Sequence, residues 1–265
     1  MSINTIHKMQ AHLNLYNAGL SFIGKIDIKK HEHKSNKSFD TQNVKTIIIL
    51  DVSGSMSSYV SSIVNKHLPD ALQSLNYHPT NDFITLITFS DTSKVHDMSI
   101  STLKTSPIRA MGGTTMVPAI ANLKNVLASS SCDQFRILTI SDGDIQDQSQ
   151  SLNASTALSS EIKDKYKIKS SAVRLFTSAA QPDTRALSGM LQMNNCGESQ
   201  LIDFKCSGNM HEVPNLFSNA LRDNLGSRIL LSSTQAIFKQ NPWDSPKSEI
   251  YLSECHNIFW LAAEP

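Results

Sequence analysis

Short apolar runs alternate with longer amphipathic stretches through most of the chain. The run from Val44 to Leu50 is rich in β-branched residues and has almost no polar alternation, which is typical of a strand covered on both faces of a parallel sheet. From Val60 to Leu75 apolar residues recur three and four positions apart, which predicts a helix with one apolar stripe. Pro69 lies inside that stripe and predicts a kink or break, because proline lacks a backbone donor.

The same alternation of strand and helix patterns continues to about residue 226. The further elements predicted are buried strands at 82–90, 135–141 and 170–177, an edge strand at 94–100, a strand at 199–204, and helices at 115–128, 154–166, 184–193 and 212–225. Strands that alternate with helices predict an α/β fold, a doubly wound and mostly parallel sheet flanked by helices, over residues 41–226.

The two ends of the chain have a different pattern. Residues 1–40 and 227–265 contain several short β-like runs and no helical stripe. We therefore expect an N-terminal and a C-terminal β-rich flank that pair with each other. Together they would form a small β-sandwich-like region beside the α/β domain.

The composition argues against nucleic-acid binding, a membrane-spanning helix and a cysteine-based framework. Lys and Arg total 24 against 23 Asp and Glu, a formal net charge of +1, so no overall field attracts nucleic acid. No apolar run approaches the roughly 20 residues of a membrane-spanning helix. The four cysteines are far apart and form no CxxC pair, so we expect reduced thiols in a cytoplasmic protein.

Polar residues follow the strands where candidate chemistry would lie. The first buried strand ends in Asp51-x-Ser53-x-Ser55, a Met-Gly-Gly-Thr-Thr stretch at 111–115 precedes a helix, and Asp142 follows the strand at 135–141. Ligands of open α/β sheets bind beyond the carboxyl ends of the strands. Carboxylate and hydroxyl oxygens without nitrogen or sulfur favour a hard cation, Mg²⁺ first and Mn²⁺ second.

Other interpretations of these residues are weaker. Ser53 or Ser55 alone would be taken as a helix cap. Asp51 as a phosphoryl-accepting nucleophile would need a second acid where Ser53 stands. The acidic segment at 141–148 has its glycine misplaced for a calcium-binding EF-hand loop and lacks the final glutamate. Because no general base accompanies a nucleophile, we expect that the chain is not an enzyme.

The three polar segments resemble the von Willebrand factor A (vWA) domain, also called the integrin I-like domain. Its metal-ion-dependent adhesion site, or MIDAS, combines D-x-S-x-S with a G-G-T loop and a T-D-G or S-D-G aspartate. This sequence has DVSGS, GGTT and SDG in that order. The resemblance covers about residues 45–225 and is strongest toward the intracellular and inter-alpha-inhibitor-type branch.

The resemblance implies a role for each candidate residue. Ser53 and Ser55 would bind the metal directly through their hydroxyls, and Asp51 and Asp142 would act through bound waters. Thr114 would bind directly in an open state and through water in a closed state. Thr115 could replace Thr114, although we favour Thr114. The helix at 212–225 would shift when the site opens.

The function that the resemblance implies is adhesion-like, a metal-dependent protein–protein interaction. A bound Mg²⁺ would accept an acidic side chain from a protein partner. The alternative is a regulatory or scaffolding fragment of a larger multidomain enzyme, such as a ubiquitin ligase, kinase or ATPase, with further domains on a longer polypeptide.

Overall fold

The computed structural model describes residues 9–17, 21–30, 44–176, 183–195, 199, 201–206, 210–221, 229–232, 237–239, 249–252 and 256–262. The chain divides into two compact units. The larger unit is Lys37–Arg222, and the smaller unit joins Met1–Asn36 to Asp223–Pro265. Cys196, Cys255 and the last residues of the helix predicted at 212–225 lie outside the described residues.

The strands are β1 (Met9–Asn17), β2 (Ser21–Lys30), β3 (Val44–Asp51), β4 (Phe83–Phe89), β5 (Ser93–Ser99), β6 (Gln134–Ser141), β7 (Lys167–Phe176), β8 (Leu201–Lys205), β9 (Ile229–Ser232), β10 (Ile237–Lys239), β11 (Glu249–Leu252) and β12 (His256–Ala262). The helices are α1 (Val60–Ser62), α2 (Leu68–Ser74), α3 (Ile100–Lys104), α4 (Val117–Ser129), α5 (Gln148–Ile162), α6 (Arg185–Leu191) and α7 (Val213–Leu221). A π-helical segment, Ile63–His67, joins α1 to α2, and two 3₁₀ turns lie at Gly54–Met56 and Met210–Glu212. None of these helices is long and apolar enough to cross a membrane.

The larger unit is built on a six-stranded sheet in the order β5-β4-β3-β6-β7-β8. Every neighbouring pair is parallel except β4 and β5, which are antiparallel. The sheet therefore extends from β3 in both directions, with β4 on one side and β6, β7 and β8 on the other, as in a doubly wound sheet. This arrangement confirms the α/β fold class predicted from the sequence.

Both faces of the sheet are covered, which explains the missing alternation in β3. Ile47 and Ile49 pack on the face covered by α4, α5 and α6. Ile48 and Leu50 pack on the opposite face, under α1, α2, α3 and α7. All four side chains are fully buried, and each contributes about 1.5–3 kcal/mol of hydrophobic stabilisation.

Two local features depart from the simple helical pattern. The π-helical segment ends at His67, so Pro69 falls in the first turn of α2, where a missing backbone N–H is tolerated. The strand expected to reach residue 100 ends at Ser99, whose side chain accepts a 3.3 Å hydrogen bond from the Thr102 N–H and caps the short helix α3. Ile100 begins that helix and is buried.

The smaller unit contains two antiparallel sheets, β1-β2-β12-β10 and β9-β11. β2 comes from the N-terminal flank and β12 from the C-terminal flank, and they pair directly, with Gly24 opposite Phe259. The two flanks therefore share one sheet. Sandwich-like packing of the two sheets stays a prediction.

Candidate metal centre

Asp51 lies at the carboxyl end of β3, in the centre of the sheet, and is fully buried. Its Oδ1 accepts a hydrogen bond from the Ser53 N–H at 2.8 Å, and its Oδ2 accepts one from the Ser141 hydroxyl at 2.7 Å. The Ser141 hydroxyl in turn accepts from the Gly143 N–H at 3.0 Å. One carboxylate thus connects the loop after β3 with the loop after β6.

The electrostatic environment of Asp51 is unfavourable for an isolated anion. Burial raises the pKa of Asp51 from 3.8 to about 6, although hydrogen bonds from Ser53 and Ser141 oppose the shift. The nearby Asp142 carboxylate raises the pKa of Asp51 further. A cation at this position would favour the charged carboxylate and offset the cost of its burial.

The hydroxyls of Ser53 and Ser55 lie on one side of the turn after Asp51. Their Oγ atoms are 3.0 Å apart, Ser53 is buried, and Ser55 is exposed. Octahedral Mg²⁺ binds oxygens at about 2.1 Å, which places ligands at right angles about 3.0 Å from each other. The two hydroxyls are hydrogen-bonded to each other at this distance, and the same separation would suit two neighbouring ligands of Mg²⁺.

The segment 111–117 is fastened to the loop after β3. The Gly54 N–H donates to the Gly112 carbonyl at 3.0 Å, and the Met111 N–H donates to the Val52 carbonyl at 2.7 Å. Gly112 has a φ of +76°, a left-handed conformation that glycine adopts without strain. The Asp91 carboxylate occupies the space that a side chain on Gly112 would need.

The two threonines of this segment have different surroundings. The Thr115 hydroxyl donates to the Ser90 carbonyl at 2.9 Å, and the Thr115 N–H donates to the same oxygen at 2.8 Å. Thr115 therefore fixes the segment to the end of β4. Thr114 is buried, and within the described residues its hydroxyl has no hydrogen-bond partner, which leaves that oxygen available to a ligand.

The loop after β6 holds the same segment from the other side. The Gln146 N–H donates to the Thr114 carbonyl at 2.8 Å. The Asp147 carboxylate accepts from the N–H groups of Met116 at 2.8 Å and Val117 at 2.9 Å. Asp147 thus caps α4 from 31 residues away in sequence, and it binds the Thr114 segment to the loop that carries Asp142.

Asp142 is half-buried, and its Oδ1 accepts a 3.1 Å hydrogen bond from the Asp144 N–H. Burial raises the pKa of the Tyr59 phenol, and the Cys206 thiol and the Asp142 carboxylate raise it further. No three His, Cys, Asp or Glu side chains gather into a metal-binding group in the part of the chain that the structure describes. A cation here would therefore depend on hydroxyl oxygens as well as carboxylates.

Hydrogen bonds join the three segments that carry the five predicted residues, Asp51, Ser53, Ser55, Thr114 and Asp142. Sequence reasoning missed three supporting residues: Ser141, Asp147 and Asp91. Ser141 could have been noticed, because a hydroxyl directly precedes Asp142. Asp91 and Asp147 gave no signal, since their contacts depend on how separate loops pack.

No protein-family model matches the chain, and no curated protein matches it. Solved structures do match. The von Willebrand factor type A protein from Catenulispora acidiphila is similar over 100% of this chain and 67% of its own, with 12% identity and a TM-score of 0.56. The PilB minor pilin from Streptococcus sanguinis is similar over 80% of this chain and 77% of its own, with 12% identity and a TM-score of 0.52.

A third similar structure is proximal thread matrix protein 1 from the mussel byssus, in a form whose MIDAS motif is occupied by zinc. It covers 68% of this chain and 46% of its own, with 13% identity and a TM-score of 0.47. At these identities the comparisons establish the fold alone. The larger unit has the fold of a von Willebrand factor A domain.

Proposed function

We propose that this protein is a metal-ion-dependent interaction module whose MIDAS-type site binds Mg²⁺. The residues that would hold the ion are Asp51, Ser53, Ser55, Thr114 and Asp142. The observation that carries the proposal is the convergence of three separate segments on the buried Asp51 carboxylate and the neighbouring Ser53–Ser55 hydroxyl pair, an all-oxygen set of the kind that Mg²⁺ prefers.

Each residue has a distinct part in this proposal. Ser53 and Ser55 bind the ion through their hydroxyl oxygens. Thr114 binds directly when the site is open and through water when it is closed. Asp51 and Asp142 act through bound waters and supply the negative charge. Mn²⁺ is the second candidate, because it accepts the same oxygen ligands.

The proposed partner is a protein that supplies a carboxylate. Neutral hydroxyls leave much of the charge on the cation, and Ser55 stands at the exposed side of the site. An aspartate or glutamate from another protein would complete the coordination there. The proposal includes no catalytic step and places the protein inside the cell, and both of these parts rest on the sequence.

The two adjacent threonines allow a matched test of metal binding. Thr114→Val should weaken Mg²⁺ binding, measured by isothermal titration calorimetry, by about tenfold or more, because it removes a ligand oxygen. Thr115→Val removes the hydrogen bond to Ser90 and should lower the free energy of unfolding by about 1 kcal/mol, with a much smaller effect on Mg²⁺ affinity. Equal Mg²⁺ affinities for the two variants would contradict the proposed ligand set.

The interaction itself is tested with two synthetic peptides that differ only in one glutamate or glutamine. The glutamate peptide should bind in Mg²⁺, and binding should disappear in EDTA or in Asp51→Ala. The glutamine peptide should not bind in any condition. Binding that persists in EDTA and in Asp51→Ala would show that the metal site is not the interaction site.

A further inference from the structure

The exposed side of the candidate site is mostly bare backbone. Gly54 and Gly112 are both exposed and lie next to each other, joined by the 3.0 Å bond between the Gly54 N–H and the Gly112 carbonyl. Gly113 follows and is half-buried. Because Gly54 carries no side chain, the main chain of a partner can approach the neighbouring Ser55 hydroxyl there, whereas the Asp91 carboxylate fills the space beside Gly112 and Gly113.

One large apolar residue, Met111, directly precedes Gly112 in the chain and is exposed. Met111 is 69% exposed, the highest value among the large hydrophobic residues that the structure describes. Its backbone is held by the bond to the Val52 carbonyl, and its neighbours Ile108 and Ala110 pack against the core. Single exposed hydrophobic residues are common on protein surfaces, so it is the position of Met111 beside the site that is informative.

The Asp91 carboxylate lies beside the same glycines. Side chains built on Gly112 and Gly113 would come within 2.2 and 2.6 Å of the Asp91 carboxylate oxygens. Asp91 is exposed, and the Thr115 hydroxyl donates to its carbonyl at 3.3 Å. A second acidic residue on a partner would meet this carboxylate and be repelled, since like charges a few ångströms apart interact unfavourably.

We propose that the side chains of Met111 and Asp91 select the amino-acid sequence around the partner's metal-binding acidic residue. The preferred partner segment carries a single Asp or Glu with an apolar neighbour that packs on Met111. Runs of several acidic residues are rejected because of Asp91. This inference rests on the proposed function and specifies the class of partner for the same site.

The test uses fluorescent synthetic peptides in a glycine–serine background, with the intact protein in Mg²⁺ or in EDTA. One peptide has a single glutamate, a second has leucine on both sides of that glutamate, and a third has glutamate on both sides. The leucine peptide should bind the unmodified protein about three- to tenfold more tightly than the single-glutamate peptide, as expected for partial burial of one apolar side chain. The triple-glutamate peptide should bind no better than the single-glutamate peptide.

Variants assign each preference to one residue. Met111→Ser should abolish the advantage of leucine. Phe83→Ser is the matched control, because Phe83 is 59% exposed but begins β4, at the amino ends of the parallel strands, away from the site. Phe83→Ser should leave the advantage of leucine unchanged. Asp91→Asn should strengthen binding of the triple-glutamate peptide about threefold at low salt and less at high salt.

The outcomes separate this inference from the proposed function. If no glutamate peptide binds in a Mg²⁺-dependent way, the proposed function is wrong and the inference falls with it. If the single-glutamate peptide binds with Mg²⁺ but leucine adds nothing, or Met111→Ser keeps the advantage of leucine, the apolar preference is wrong while the proposed function stands. An unchanged triple-glutamate affinity in Asp91→Asn would overturn the role of that carboxylate.

Discussion

Asp147 offers the sharpest test of how the fold supports the candidate site. Its carboxylate accepts hydrogen bonds from the N–H groups of Met116 and Val117 and from the Ser151 hydroxyl. Asp147→Ala removes all three bonds, and α4 has no side-chain cap from its own residue Met116. Among the hydrogen bonds between described residues, the bond from the Gln146 N–H to the Thr114 carbonyl would still hold the Thr114 segment to the loop after β6.

The size of the effect follows from these contacts. Loss of a capping side chain costs about 0.5–2 kcal/mol. Because this carboxylate is charged and accepts from two backbone donors, we expect a loss of about 2 kcal/mol in the free energy of unfolding. In the variant, part of the free energy of Mg²⁺ binding must be spent on ordering the loosened Thr114 segment. Substitutions behind metal ligands lower affinity by about 10- to 100-fold, so we expect Mg²⁺ to bind about tenfold more weakly.

The assay pairs Mg²⁺ titration by calorimetry with urea unfolding in EDTA. Ser99→Ala is the control, because it also removes a helix cap but at α3, through the bond from the Thr102 N–H. It should lower stability by about 1 kcal/mol and leave the Mg²⁺ affinity unchanged. Asp147→Asn keeps one acceptor oxygen and should be intermediate in both measurements.

The reasoning fails if Asp147→Ala binds Mg²⁺ as tightly as Ser99→Ala does. That result would mean that Thr114 keeps its position without this bond, or that the metal does not use Thr114. A loss of affinity in both variants would also refute it, because the effect would then follow general destabilisation rather than the contact.

Three further predictions concern pH and close packing. The pKa of Asp51 is raised from 3.8 to about 6 in the folded state, so the folded state binds this proton more tightly than the unfolded chain does. In EDTA the Asp51 carboxyl should therefore contribute about 3 kcal/mol to the free energy of unfolding below about pH 3.8, relative to its contribution at neutral pH, and lose it as the pH rises through about 6. His67 should act in the opposite direction: burial and Lys66 lower its pKa, so the free energy of unfolding should fall as the pH drops below about 6.5. Gly113→Ala should destabilise by less than about 1 kcal/mol, because the atoms that its Cβ would meet are the ends of the flexible Asp91 and Gln146 side chains, and Asp91→Ala should relieve most of that cost.

Difference measurements isolate each effect. The free energy of unfolding in urea is measured against pH for the unmodified protein and for Asp51→Asn or His67→Met. The difference between the two curves is the contribution of that one group, and a difference that does not change with pH would contradict the corresponding prediction. Gly112→Ala is the control for the glycine test. Its positive φ strains any other residue, so Asp91→Ala should rescue it only in part. Full rescue would mean that the positive φ of Gly112 does not contribute to the loss of stability.

Much of the α/β unit could be predicted because each element carries its own signal. The uninterrupted apolar run of β3 predicted burial on both faces, and Ile47 to Leu50 are indeed buried on both. The short helix α3 could not be predicted from hydrophobic spacing, because five residues are too few to show a period. Only the Ser99 cap marks its start.

The candidate site was predicted in its parts but not in its connections. Asp51, Ser53, Ser55 and Asp142 follow strand ends that the sequence itself reveals, and parallel strands bring those ends to one edge. Ser141 could have been noticed as the hydroxyl directly before Asp142, but the contacts that Ser141, Asp147 and Asp91 make could not be predicted. Each acts on a residue at least 20 positions away in sequence, and no local pattern encodes such a distance.

The sequence by itself determined the alternation of strands and helices, the order of the three polar segments and the oxygen character of their side chains. Those properties depend on local periodicity and residue type. Only the tertiary structure decided that the Thr115 hydroxyl donates to Ser90, while the Thr114 hydroxyl has no hydrogen-bond partner among the described residues. It also decided that Asp147 caps a helix 31 residues before it. These choices depend on which backbone donors and acceptors come within about 3 Å of each other, and that is settled by the packing of loops on the finished sheet.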